Sequence, residues 1–377
     1  MKKFLSLLLS VALVLSVAGC GQPEVQEGLG NGWEPTHSMD VQFAHEFSVD
    51  YYEGGYKLIT LGDGSRYLTI PEGAAVPKRL AKDIVPLQQP VQNIYLAATA
   101  AMCLFDSLDR LDAIRLSGTE ADGWYIDSAK EAMERGDILY AGKYSEPDYE
   151  LILSSGCCLA VESTMIGHAS EIKEKLNELG VPVLVDQASH ETHPLGRSEW
   201  IKLYGALLNE EEKAEEMFSR QASFLEEVAS EGNTGKTVAF FHISSSGYVV
   251  ARKSGDYVSK MMELAGGNYV FENLGDPETT NSTVTIEMET FYATAKEADV
   301  ILYNSAITGE VDTLEQLLAL NPLLGDFKAV KTGNVWCTAQ NMYQETMQLG
   351  QMTREMHAIF TAADADDLHL DYFYRLK

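Results

Sequence analysis

The sequence predicts an α/β protein of two doubly wound βα lobes joined by one long helix, with a ligand cleft between the lobes. Three observations carry this expectation. Short apolar runs alternate with helix-period segments from Val91 onward, a second such series starts at Thr237, and an uninterrupted helix-forming stretch lies between them. The alternation reads as βαβ units, because parallel strands need long crossovers that a helix supplies.

The chain opens with Lys2 and Lys3, runs apolar from Phe4 to Val17, and reaches Ala18-Gly19-Cys20. The apolar run is shorter than the roughly 20 residues a bilayer requires, so residues 1–19 read as a lipoprotein signal peptide and Cys20 as the residue that is lipidated. Gly21 to Pro35 are rich in Gly, Glu, Gln, Asn and Pro, a composition that buries too little apolar surface to fold alone. Lipidated Cys20 and a flexible tether are therefore expected over residues 20–55.

Beyond the tether, Tyr56 to Leu61 and Arg66 to Ile70 are β-rich runs separated by Gly62-Asp63-Gly64-Ser65, which predicts a hairpin. Strands are expected at Asn93–Ala97, Ala113–Leu116, Ile138–Ala141, Leu159–Glu162 and Val181–Val185. Helices are expected at Ala100–Leu108 and Ala169–Leu179, where apolar residues recur three and four apart. Together they make an N-terminal lobe over 56–197. Ser198 to Glu231, dense in Glu, Ala, Leu, Lys and Phe, predicts one linking helix over 198–231 and, as a stiff connection, small rather than wide lobe motion. A C-terminal lobe follows over 232–377, with strands at Val238–Ile243, Tyr248–Ala251, Val300–Asn304 and Asn334–Cys337. Met342 to Thr361 reads as a closing helix whose Met347, Met352 and Met356 fill a core rather than bind a metal.

A formal net charge of −28 argues against nucleic acid as a partner and says little about the charge of a local cleft. Besides Cys20 there are Cys103, Cys157, Cys158 and Cys337, all in apolar contexts and without CxxC spacing, which reads as buried inert thiols. GxSxG, HExxH, P-loop and dinucleotide glycine motifs are missing, so an enzyme is not expected. A divalent-metal binder is the rival within this architecture, since His168, His190, His193 and His242 could converge from both lobes. A structural adhesin fits worse, because the chain has no internal repeats.

In open α/β sheets, ligands bind beyond the carboxyl ends of the strands. In the first lobe that rule selects Ala98-Thr99, then Gly142-Lys143-Tyr144, then Ser163-Thr164 beside Glu162, and the loop Gln187 to Arg197. In the second lobe it selects His242 to Ser246, Asn304-Ser305 and Thr338 to Tyr343. Within the loop, His190 and His193 are candidate ligands, and Arg197 suits a carboxylate or other oxyanion because its donors form a fixed fork. Tyr144, Tyr257, Trp336 and Tyr343 offer the aromatic area that a large planar ligand would need. Tyr257 follows Ser254-Gly255-Asp256, which places it at a helix start.

Lipobox, tether, α/β lobe, linking helix and second α/β lobe together resemble the helix-linked substrate-binding proteins of ABC importers for iron–siderophore complexes, haem and cobalamin. Pro147-Asp148-Tyr149-Glu150-Leu151-Ile152-Leu153 before a strand, and Glu289-Thr290-Phe291-Tyr292 before Ala298-Asp299-Val300-Ile301, are similar to that family's recurring pattern. The first departs from it in having Cys157-Cys158 where the family's strand carries Pro-Asp. The resemblance implies that Glu150 and Glu289 dock on the two membrane subunits of the importer. It also implies an extracytoplasmic, membrane-anchored monomer that needs no cofactor or resident metal and carries a ferric chelate, haem or a corrinoid as cargo.

Overall fold

A computed structural model describes Leu29 and residues 32–275, 282–363 and 368–377. The signal peptide and Cys20 lie outside the described residues. Three sheets and a helical layer between them make up the fold.

The first sheet joins β1 (His37–Ser38), β2 (Phe47–Tyr51), β3 (Lys57–Leu61), β4 (Arg66–Ile70) and β5 (Ile84–Gln88) in sequence order. The predicted hairpin is β3–β4, paired antiparallel from Lys57↔Thr69 to Thr60↔Arg66. The tether expected over 20–55 needs correction, since His37–Ser38 and Phe47–Tyr51 already form paired strands. Phe47 and Val49 turn one face of β2 into the main core, and Tyr52 closes a small cluster on the other side with Leu58, Leu68 and Ile84. Composition concealed this, because the polar groups around these residues are satisfied by partners distant in sequence.

The second sheet is fully parallel. Its strands and helices alternate as β6 (Ile94–Leu96), α1 (Met102–Ser107), β7 (Ile114–Ser117), α2 (Asp127–Glu134), β8 (Leu139–Tyr140), α3 (Tyr149–Ser154), β9 (Ala160–Ser163), α4 (Ser170–Glu178) and β10 (Val183–Asp186). Their spatial order is β10-β9-β6-β7-β8, so the winding reverses between β6 and β9. Such a reversal opens a crevice beyond the strands' carboxyl ends.

The connection over 198–231 is helical but is not one rod. α5 (Pro194–Leu208) and α6 (Glu211–Ala229) are separate helices, broken at Asn209, which adopts φ 61°. They fold back on one another: the Lys202 ammonium lies 4.5 Å from the Phe218 ring, and a Cβ on Gly205 would stand 2.7 Å from the Ala214 Cβ. The break holds because the last carbonyls of α5 find side-chain donors. Lys57 Nζ donates to Ala206 O at 2.9 Å, Gln89 Nε2 to Leu207 O at 3.2 Å and Arg110 Nη1 to Leu208 O at 2.9 Å. Free helix-end carbonyls buried without partners would be costly. A pattern reading sees only the helix-forming residues on either side of Asn209.

The third sheet is mixed. β11 (Thr237–Ile243), β12 (Val249–Arg252), α7 (Tyr257–Leu264), β13 (Asn268–Tyr269), β14 (Thr283–Ile286), α8 (Met288–Ala295), β15 (Val300–Tyr303), α9 (Ser305–Thr308), α10 (Leu314–Leu320), α11 (Lys328–Lys331), β16 (Val335–Thr338), α12 (Leu349–Thr361) and β17 (Phe373–Arg375) follow in order. β11, β13, β15 and β16 are parallel; β12 and β17 run antiparallel to them, and β14, antiparallel to β12, runs in the β11 direction at the edge. Residues 342–348 do not continue the closing helix. They cross to the first lobe, where Met347 N donates to Cys103 Sγ at 3.4 Å and Thr346 O accepts from Ser198 Oγ at 2.8 Å. Met347, Met352 and Met356 are buried in the core.

Candidate functional site

A cavity of about 820 Å³ lies between the second and third sheets, at the crevice that the strand order predicts. The first lobe contributes Thr164, Met165 and His168 after β9, and Ser189, His190 and Arg197 after β10. The second contributes His242 and Val250, the start of α7, and the segment around Tyr343.

Arg197 stands in the first turn of α5. Its Nε donates to the Glu191 carbonyl at 2.9 Å and its Nη2 to the Ser189 carbonyl at 2.7 Å, which fixes the guanidinium plane. That plane lies 3.9 Å from the centroid of the Tyr257 ring of the opposite lobe. Among the described residues no carboxylate comes within 4.0 Å of it and Nη1 has no protein partner. Burial draws its pKa down from the usual arginine value, against the pull of Tyr257 and Asp256, yet an arginine so placed remains a cation.

Arg252, at the end of β12, is the residue that strand-end reasoning missed. Its Nη1 is 3.4 Å from Asp256 Oδ2, its Nη2 donates to the Tyr343 hydroxyl, and its guanidinium lies 5.3 Å from the Tyr343 ring centroid. Burial opposes its charge, but Tyr343 and Asp256 outweigh it and raise the pKa. Asp256 caps α7 by accepting from Val258 N at 3.0 Å. Register places Arg252, Val250 and His242 on one face of the sheet. Alternation along this antiparallel strand after Tyr248, with Asp256 four residues on, was the available signal. The rule for parallel strands does not reach it. Burial and the nearby Arg252 lower the pKa of His242, which keeps the ring neutral at pH 7.

The cavity thus brings together His190, Arg197, His242, Tyr257 and Tyr343 of the predicted residues. The others lie elsewhere. Lys143 is exposed and pairs with Glu146 at 3.0 Å, and Tyr144 packs on the first-lobe cluster around Tyr95. Thr99 is 3.5 Å from Thr119, off the cavity wall. Ser163 caps the turn after β9 by accepting from Met165 N at 3.3 Å. Glu162 is fully buried with neither carboxylate oxygen hydrogen-bonded among the described residues, and burial pushes its pKa up to about 8. His193 caps α5, accepting from Leu195 N at 3.2 Å and stacking 4.7 Å from Phe43; burial lowers its pKa to about 4. Trp336 sits inside β16, paired with Leu302 and Arg375, and its Nε1 donates to Asn334 at 2.8 Å. Most of these misplacements have one cause: position near a strand end does not say which face a side chain takes.

Cys103, Cys157, Cys158 and Cys337 are free thiols. Among the described residues no three His, Cys, Asp or Glu side chains gather as a metal site, and no helix is long and apolar enough to cross a membrane. Glu150 and Glu289 are both exposed and occupy the second position of α3 and α8. They therefore stand alike in the two lobes, where helix N-termini favour a carboxylate.

Residues 114–341 match the periplasmic binding protein family. Two uncharacterized lipoproteins of Methanocaldococcus jannaschii are similar along nearly all of the chain. One is 26% identical over the whole of both sequences, and the other is 24% identical over 91% of this chain and 89% of its own length. The petrobactin-binding protein YclQ of Bacillus subtilis superposes with a TM-score of 0.59 at 13% identity, covering 81% of this chain and 99% of its own. The periplasmic haem-binding protein HutB of Vibrio cholerae superposes at 0.58 and 15% identity, covering 70% and 98%.

Proposed function

Because the chain belongs to the periplasmic binding protein family, we propose that it is the extracytoplasmic solute-binding component of an ABC importer and captures an anionic iron complex of the siderophore type. It is not an enzyme on this reading. Lipidated Cys20 holds it to the membrane, as the lipoprotein naming of its relatives supports. Glu150 and Glu289 present one carboxylate per lobe to arginines of the membrane subunits, a contact that orients docking through bidentate pairs.

Arg197 carries the proposal for the ligand. An arginine held by two backbone carbonyls and an aromatic face, with no carboxylate within 4.0 Å among the described residues, is a cation kept for an anion that arrives from solution. Arg252 is already compensated by Asp256, so the cavity retains a positive surplus within an acidic protein. A ferric chelate with carboxylate or catecholate oxygens meets that demand, and Tyr257, Tyr343 and Met342 supply apolar area.

Thermal-shift titration of the wild type and R197Q with ferric enterobactin, a ferric hydroxamate, haemin and cyanocobalamin tests the reading. An anionic ferric complex should raise the wild-type Tm, and R197Q should need ~10- to 100-fold more of it. A response to haemin or cyanocobalamin alone moves the assignment to those ligands, and stoichiometric zinc or manganese in the purified protein moves it to a metal binder.

A further inference from the structure

Five consecutive backbone N–H groups, from Gln42 to Glu46, turn toward two buried carboxylates at the start of α5. Glu199 accepts from Gln42, Phe43 and Ala44 at 2.9, 2.7 and 2.9 Å. Glu191 accepts from His45 at 2.9 Å, from Glu46 at 3.0 Å and from Trp200 Nε1 at 3.2 Å. Lys202 lies 3.2 Å from Glu199, whereas no cation pairs with Glu191 among the described residues. Glu191 is 2% exposed, so these three N–H donors replace the water its carboxylate has lost.

Glu191 also touches the cavity arginine through its main chain. Its backbone carbonyl accepts from Arg197 Nε, and Ser189, two residues earlier, accepts from Nη2. Side chain and main chain of one residue thus join the entry loop of the first sheet to the cavity arginine. Gly196 allows the approach, because a Cβ there would stand 2.8 Å from Phe43 O and 3.3 Å from the Glu191 side chain. Were the carboxylate released, the loop from Ser189 to Glu191 would lose its anchor, and the guanidinium both of its fixed acceptors.

We infer that Glu191 is a positioning residue for Arg197, and that residues 42–46 act through it on ligand capture without touching the cavity. The placement of Arg197 stands on geometry alone, while its consequence for binding rests on the proposed function. The device draws on residues outside the 114–341 stretch that the family shares.

Exchange of the Arg197 Nε–H with solvent, followed by NMR on the ¹⁵N-labelled full chain without ligand, tests the placement. The signal is assigned by its loss in R197K. E191Q should speed this exchange by ~10-fold or more, while the indole N–H of Trp124, which donates to Ser117 in the same lobe, keeps its rate. An unchanged Arg197 rate overturns the inference. G196A, which pushes the entry loop off α5 from the other side, should speed it likewise and serves if E191Q does not fold. Binding is read with ferric enterobactin on wild type, E191Q, R197Q and the double variant. E191Q should weaken binding ~10-fold and add nothing in the R197Q background. Equal losses in both backgrounds overturn the inference. No binding to the wild type overturns the ligand reading, and the exchange rate still decides the positioning.

Discussion

Replacing Glu162 by glutamine should stabilise the protein, and increasingly so as pH rises. Glu162 sits in β9, fully buried and with no hydrogen-bond partner for its carboxylate among the described residues, and burial lifts its pKa from 4.5 to about 8. Above the unfolded value the folded state holds a proton that the unfolded chain has released. Stability is therefore complete below a pH of about 4.5, falls as pH rises, and stops falling above about 8. At ~1.4 kcal/mol per pH unit the whole span amounts to roughly 5 kcal/mol, and roughly 3 kcal/mol is already lost at pH 7. E162Q keeps the shape and removes the ionisation. Glu345, which burial and Asp106 push up to about 7, adds a loss of the same sign in both proteins, so it cancels in the comparison. Urea unfolding of both proteins at pH 5, 7 and 9 supplies the measurement. The gap should widen from near zero to several kcal/mol, and parallel curves across that range would show that the folded protein holds Glu162 ionised, refuting the reasoning.

Lys57→Met keeps the aliphatic stem but leaves Ala206 O, Asn209 Oδ1 and the Glu211 carboxylate without their shared donor. A loss of ~2–4 kcal/mol is expected from the urea midpoint at constant m-value, and under ~0.5 kcal/mol would mean that the α5–α6 break does not depend on that cap. Charge reversal at both Glu150 and Glu289 should abolish uptake of the ferric complex by cells while solution affinity stays at the wild-type value, and undiminished uptake would discard the docking role.

Much of the architecture was legible in the sequence because its strands are short apolar runs bounded by turn residues. Leu159 to Glu162 and Val300 to Asn304 give themselves away in that manner, since strands buried on both faces need uninterrupted apolar character. Residues 37–51 were illegible for the opposite reason. The backbone N–H groups of 42–46 in their middle are paired with carboxylates about 150 positions away, and no local pattern announces such a partner. The α5–α6 break was hidden too, because Asn209 in a helix-rich stretch looks ordinary until Lys57, Gln89 and Arg110 are seen to cap the carbonyls before it. In the site, the loop before α5 stood out by its density of charge. Arg252 did not, because it lies on an antiparallel strand, and Trp336 misled because it is the second residue of β16, at the amino end of the strand and off the cavity wall.

The fold-back of α5 and α6 also limits how the protein can be cut. A fragment restricted to 114–341 would keep Glu191 and Glu199 but lose all five of their backbone donors, together with Lys57 and Gln89 at the other end of the same helix. Two orphaned carboxylates and an unsatisfied helix terminus, set in a segment that is buried almost throughout, would outweigh the few kcal/mol by which a domain of this size is stable. The region 114–341 should therefore not fold by itself: a fragment cut back to it should yield an aggregating polypeptide instead of a smaller binding protein.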